Sequence, residues 1–236
     1  MTEYTYTNII LIPYRNREEH LDIFIKDVIP LFEKYLNPFK VIVIEQEQGK
    51  LFNRGMLLNI GFNEYKDKTE NFYNHDVDIY PNDKCVEEFY SQNKYICDTN
   101  FVGIYTPPCN TLGTVIKFHK NLFNKINGYP NNYWGWGAED KALQNRVEFM
   151  QIPITKILYR NSINISDYIT VKNDINDRHL DNLFNFKADF EFHKFETLSY
   201  ENKKNHIMLS GLNNLDYKII SRENIGENIE IIKVII

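Results

Sequence analysis

Asn8-Ile9-Ile10-Leu11-Ile12-Pro13 and Lys40-Val41-Ile42-Val43-Ile44 are two short runs rich in β-branched residues. Their near-continuous apolar character over so few residues is the pattern of strands buried on both faces. Between them Leu21, Phe24, Ile25, Val28 and Phe32 fall on one side of a helix, and Pro38 closes the segment. After the second run a further helix is expected from about Asn53, with Leu57, Leu58 and Phe62 on one side. Strand–helix–strand–helix at this spacing predicts an α/β fold around a parallel sheet with right-handed crossovers. Ligands of such sheets bind beyond the carboxyl ends of the strands. Polar residues directly after strands therefore carry the functional information.

Working outward, Asn71-Phe72-Tyr73-Asn74 leads into His75-Asp76-Val77-Asp78. A polar stretch follows to about residue 110. Thr114 to Phe118 reads as a strand, His119 to Ile126 as a short helix, and Gly128 to Gly137 as a loop. Ala138 opens a helix whose apolar positions are Leu143, Val147 and Met150, ended by Pro153, and Ile154 to Tyr159 is another strand. Residues 161–205 are polar and show no readable period. Leu215 to Ile220 and Ile229 to Ile236 read as an edge pair of strands. With no repeat, low-complexity tract or boundary, one domain over 1–236 is expected.

The charge balance is 27 Lys and Arg against 32 Asp and Glu, net −5, which lacks the basic excess of a nucleic-acid binder. No apolar run reaches the roughly 20 residues of a membrane span, and the first residues lack a signal-peptide pattern. Cys85, Cys97 and Cys109 have no metal-ligand spacing and read as free thiols. A cytoplasmic protein is the expectation.

Three segments carry chemistry. Asp76-Val77-Asp78 places two carboxylates after a strand; a bend would let one hold a hard divalent cation while the other meets a ribose or a metal-bound water. The same pair also suits a plain solvated turn. Pro13-Tyr14-Arg15-Asn16-Arg17 and Phe52-Asn53-Arg54 put guanidinium groups beyond strand ends, where they suit a phosphate or a base, or serve as ordinary helix starts. The sharpest segment is Asn131-Asn132-Tyr133-Trp134-Gly135-Trp136-Gly137-Ala138-Glu139-Asp140. Two tryptophans in a glycine-bearing loop need something to cover, and the two carboxylates stand in the first turn of the next helix.

With Leu57-Leu58-Asn59-Ile60-Gly61-Phe62, Asn127-Gly128-Tyr129-Pro130 and Gly211-Leu212-Asn213, these motifs resemble, in order and over most of the chain, the β-1,4-galactosyltransferase family. These are the inverting enzymes of glycosyltransferase family 7. The resemblance implies a single GT-A domain, Rossmann-like, with a mixed, mostly parallel sheet. Residues 1–110 would form its nucleotide-binding half and 111–236 its acceptor-binding, catalytic half. It implies a UDP-sugar donor, a saccharide acceptor and Mn²⁺. Pro13, Tyr14, Arg15, Arg17, Phe52, Arg54, Asp76, Gly113 and Trp136 would hold the donor, with Trp136 on a mobile loop. Asp78 would ligate the metal, joined by His179 and Asp177, with His193 as the competitor. Glu139 would orient the sugars and Asp140 would be the general base.

Lys141 stands where the family often has another acidic residue, which opens the question of the acceptor. Thr111, before Leu112-Gly113, stands where galactosyl-specific members carry tyrosine, which leaves room for an N-acetylated donor. The absence of an anchor and stem, with a composition suggesting AT-rich coding, leads us to expect a microbial or viral stand-alone catalytic domain. The alternatives are a non-catalytic nucleotide-sugar or glycan-binding protein, a polymer-building N-acetylhexosaminyltransferase and, last, a nucleotidyltransferase.

Overall fold

A computed structural model of the chain describes residues 4–91, 98–105, 111–135, 137–158, 163–165 and 199–236. The first apolar run is strand β1 (Asn8–Tyr14), fully buried. A helical stretch follows as α1 (Glu18–Ile23), a π turn over Phe24–Val28, and α2 (Ile29–Tyr35). The second run is β2 (Phe39–Gln46), parallel to β1 in a register that sets Leu11 beside Ile42. Helix α3 (Arg54–Tyr65) is capped by Asn53, whose side chain accepts from the Met56 N–H at 3.0 Å. Strand β3 (Asn71–His75) then pairs parallel to the other side of β1. The alternating residues of β1 divide the core: Ile9 and Leu11 pack with α3, while Ile10 and Ile12 pack with Phe24, Val28 and Phe32. Both faces of the strand are covered, which is why its sequence shows no polar alternation.

Strand β4 (Ile79–Pro81) pairs with β8 (Ile163–Ile165) in a small second sheet. A short α4 (Asp83–Cys85) and a π turn over Val86–Tyr90 come next. Strands β5 (Phe101–Tyr105) and β6 (Val115–His119), helices α5 (Lys120–Lys125) and α6 (Glu139–Phe149), and β7 (Ile154–Leu158) complete the middle of the chain. After α7 (Tyr200–Met208) come β9 (Lys218–Asn224) and β10 (Ile229–Ile235). The main sheet has eight strands in the order β7-β5-β6-β3-β1-β2-β10-β9. It is mixed, with four parallel pairings and three antiparallel ones.

Three readings of the sequence need amendment. The last two strands are not both at an edge: β10 runs parallel against β2, and only β9 lies outermost. Ala138 does not open α6 but precedes it, with φ of 73°. Strand β5 and helix α7 fall in stretches read as merely polar. Among the described residues no helix is long and apolar enough to cross a membrane.

Candidate active site

Strands β1, β2 and β3 run parallel, so their carboxyl ends open on one edge of the sheet. The segments at residues 13–17, 52–54 and 76–78 follow those ends, and the tryptophan loop, which comes after α5, meets the same edge where the Gly135 N–H donates to the Phe52 carbonyl. Arg54, the first residue of α3, is their meeting point. Its Nε donates to Asp76 Oδ1 at 2.8 Å, its Nη1 to Asp140 Oδ1 at 2.8 Å, and its Nη2 to the Gly113 carbonyl at 2.6 Å. Glu139 Oε1 lies 3.7 Å from Nη1, and the guanidinium sits 6.0 Å from the Tyr129 ring centroid. The planar fork of arginine can serve three acceptors at once, which an ammonium on a flexible stem does less well.

The bend that the Asp76-Val77-Asp78 segment requires is present: the Ile79 N–H donates to the Asp76 carbonyl at 3.2 Å. Asp76 thereby faces Arg54. The Asp78 carboxylate has no hydrogen-bond or ion-pair partner among the described residues, though its charge is felt at Asp76. Three carboxylates thus gather about one guanidinium, an excess of two negative charges if all are ionised, and the Asp78 carboxylate adds its field at Asp76. Burial pushes Asp76, Glu139 and Asp140 above the usual carboxylate range, and Arg54 pulls each of them back. Glu139 is further held by its own backbone N–H and that of Gly137. The loop before α6 reaches this arrangement through left-handed residues, Gly135 at φ 79°, Gly137 at 110° and the non-glycine Ala138 at 73°. At Gly113, a Cβ would run into Asp140 Oδ2, the carboxylate oxygen that Arg54 does not hold.

The remaining expected residues lie around this centre. Pro13 and Tyr14 end β1 and are buried. Arg15 donates to the Lys50 carbonyl at 2.7 Å and stacks 5.3 Å from the Phe52 ring centroid. Arg17 is half-buried at the start of α1, and Thr111 is half-buried near Gly113. Lys141 is exposed. Trp136, Asp177, His179 and His193 lie outside the described residues, as do Cys97 and Cys109; Cys85 is a buried free thiol. Among the described residues no group of three His, Cys, Asp or Glu side chains is gathered to hold a metal ion.

Two features escaped the reading of the sequence. Asn59 is fully buried and binds both ends of the Tyr129 backbone, accepting from its N–H at 2.9 Å and donating to its carbonyl at 2.7 Å. Asn131 accepts from Asn53 and Asn59 and donates to the Gly211 carbonyl, which ties the tryptophan loop to α3 and to the last quarter of the chain. The only local signal was Asn131-Asn132 opening the loop.

The model for the N-terminal region of glycosyl transferase group 7 matches residues 3–98, and that described as the N-terminal domain of galactosyltransferase matches residues 94–174. Human β-1,4-galactosyltransferase 4 is 38% identical over 157 residues, which is 63% of this chain and 44% of the relative. Mouse β-1,4-galactosyltransferase 6 is 34% identical over 213 residues, 88% of this chain and 51% of the relative. The chain spans about half the length, or less, of these curated relatives. A crystal structure of a Drosophila β-1,4-galactosyltransferase 7 mutant, in complex with manganese, UDP-Gal and xylobiose, superposes with a TM-score of 0.73. Identity there is 21%, over 98% of this chain and 94% of that one. The two matches together run from residue 3 to residue 174, and the chain belongs to the β-1,4-galactosyltransferase family, glycosyltransferase family 7, with its GT-A fold.

Proposed function

We propose that the chain is a metal-dependent, inverting glycosyltransferase that moves a hexose or N-acetylhexosamine from a UDP-sugar to a hydroxyl of a saccharide acceptor. The observation that carries this reading is the sharing of Arg54 between Asp76, on the strand edge where the nucleotide would sit, and Asp140, at the start of α6. One guanidinium then ties the donor side to the proposed base.

Asp140 takes the proton of the acceptor hydroxyl while that oxygen bonds to the anomeric carbon from the face opposite UDP. The bond to the leaving oxygen breaks, its electron pair departs with UDP, and the single displacement inverts the anomer. Arg54 holds Oδ1, and the missing Cβ at Gly113 lets Oδ2 sit against the backbone there without a clash. A carboxylate raised by burial and by Glu139 is a better proton acceptor near neutral pH than an exposed one. Glu139 orients the sugars. Pro13, Tyr14, Arg15, Arg17, Phe52 and Trp136 form the UDP-sugar side.

The donor set suits a hard cation: Asp78 offers an uncommitted carboxylate, and Mn²⁺ accepts oxygen ligands. Asp177 and His179 are proposed to join it. A bound cation would neutralise the diphosphate as it leaves. Thr111 and Lys141 keep the donor sugar and acceptor open.

UDP release from a panel of UDP-sugars, with mixed saccharide acceptors and with or without Mn²⁺, tests this reading in the wild type and Asp140→Asn. One donor should turn over with Mn²⁺, and the substitution should slow it about 10³-fold while UDP still binds. Silence for every donor while UDP binds would make the chain a binding protein instead.

A further inference from the structure

The segment between β2 and α3 bonds to both sides of the proposed cleft. Gln46 at the end of β2 fixes it, donating to the Leu51 carbonyl and accepting from the Asn53 N–H, both at 2.8 Å. Toward β1, the Lys50 carbonyl accepts from Arg15, the Phe52 ring carries the same guanidinium, and Gln48 donates to Asn16 at 2.8 Å. Toward the tryptophan loop, the Phe52 carbonyl accepts from the Gly135 N–H at 2.7 Å, and the Lys50 ammonium lies 5.3 Å from the Trp134 ring centroid. Lys50 and Phe52 each touch Arg15 with one part and the loop with another. An ammonium within about 6 Å of an indole face is attracted to it.

We infer that residues 50–52 are a strap coupling the Arg15 end of the cleft to the tryptophan loop, with Lys50 and Phe52 as positioning residues for Trp134 and Gly135. The inference rests on the proposed function only in naming the two ends donor side and acceptor side. A change at Arg15 then reaches Trp134 through the Lys50 backbone and side chain, without contact between the two.

Both tryptophans of the chain, Trp134 and Trp136, stand in this loop, so emission excited at the red edge, where the 16 tyrosines do not absorb, and its quenching by acrylamide report the loop alone. In the absence of substrate, Lys50→Met should raise the quenching constant about two-fold, and Lys50→Arg should leave it near the wild-type value, because a guanidinium also sits on an indole face. Arg15→Ala should raise quenching in the wild-type background and add clearly less to Lys50→Met, where only the Phe52–Gly135 contact still links the two ends. Unfolding curves confirm that each variant is folded. Unchanged quenching in Lys50→Met, or an Arg15→Ala effect of the same size in both backgrounds, would overturn the strap. No donor enters this assay, so a protein without transferase activity but with the coupling intact would refute the proposed function alone.

Discussion

Helix α3 carries an arginine–carboxylate network at each end, and the two differ in a way that separates function from scaffolding. At its start Arg54 meets Asp76, Glu139 and Asp140, with only 13% of the arginine side chain exposed. At its far end Glu64 meets Arg222 from β9, which also pairs with Glu230 and the Tyr65 hydroxyl, while Tyr217 donates to Glu64. There the arginine side chain is 41% exposed. The second network sets two carboxylates against one more exposed guanidinium, a smaller excess, and it fastens the outer hairpin to the helix. The first holds excess negative charge in a place where water screens it poorly. The helix dipole favours anions at its start but is worth only about half a charge. A cation arriving with the proposed UDP-sugar would offset that excess.

The largest expected effect breaks the first network. Arg54→Met strands three carboxylates and should cost about 3–5 kcal/mol in urea unfolding. Next comes His75, which follows Asn74 on β3 and turns away from the charged cluster into Phe24, Phe32 and Tyr90. Burial lowers its pKa from 6.5 to about 4. Its neutral form is the native one, so its contribution is intact above pH 6.5 and is lost as pH falls toward 4, by about 3 kcal/mol. The raised carboxylates have the opposite sign: acid relieves their repulsion. The two contributions oppose each other, so His75→Phe isolates the histidine: relative to the wild type, the variant should gain about 3 kcal/mol of stability between pH 7 and pH 4; an identical slope in the two proteins would place the acid sensitivity elsewhere. The smallest effect belongs to the outer network, where Arg222→Met should cost about 1 kcal/mol or less. Equal losses for Arg54→Met and Arg222→Met would erase the distinction between the two ends.

The parts of the fold legible in the sequence were those with local signals. β1 and β2 announce themselves as apolar runs, and Asn53 marks the start of α3. Helix α7 does not, because Ile207 is its one buried residue and the rest reads as polar loop. The parallel pairing of β10 with β2 joins residues about 190 apart, for which no local pattern exists. In the site, the residue types stood out, but their partners did not. Arg54 reads from sequence as an anion binder, and only the tertiary structure turns it toward Asp76, Asp140 and the Gly113 carbonyl. Gly113 was named through family resemblance, while its physical reason, the closeness of Asp140 Oδ2, needed coordinates.

The measurement that bears most directly on the excess charge of the Arg54 cluster is the melting temperature of wild type and Asp78→Asn in the presence of UDP, with and without Mn²⁺. Adding Mn²⁺ should raise the wild-type value by about 5 °C beyond UDP alone at saturating ligand, and Asp78→Asn should melt normally but lose that gain. A wild type indifferent to Mn²⁺, or a variant that responds as the wild type does, would contradict the assignment of this cluster to an incoming cation and nucleotide.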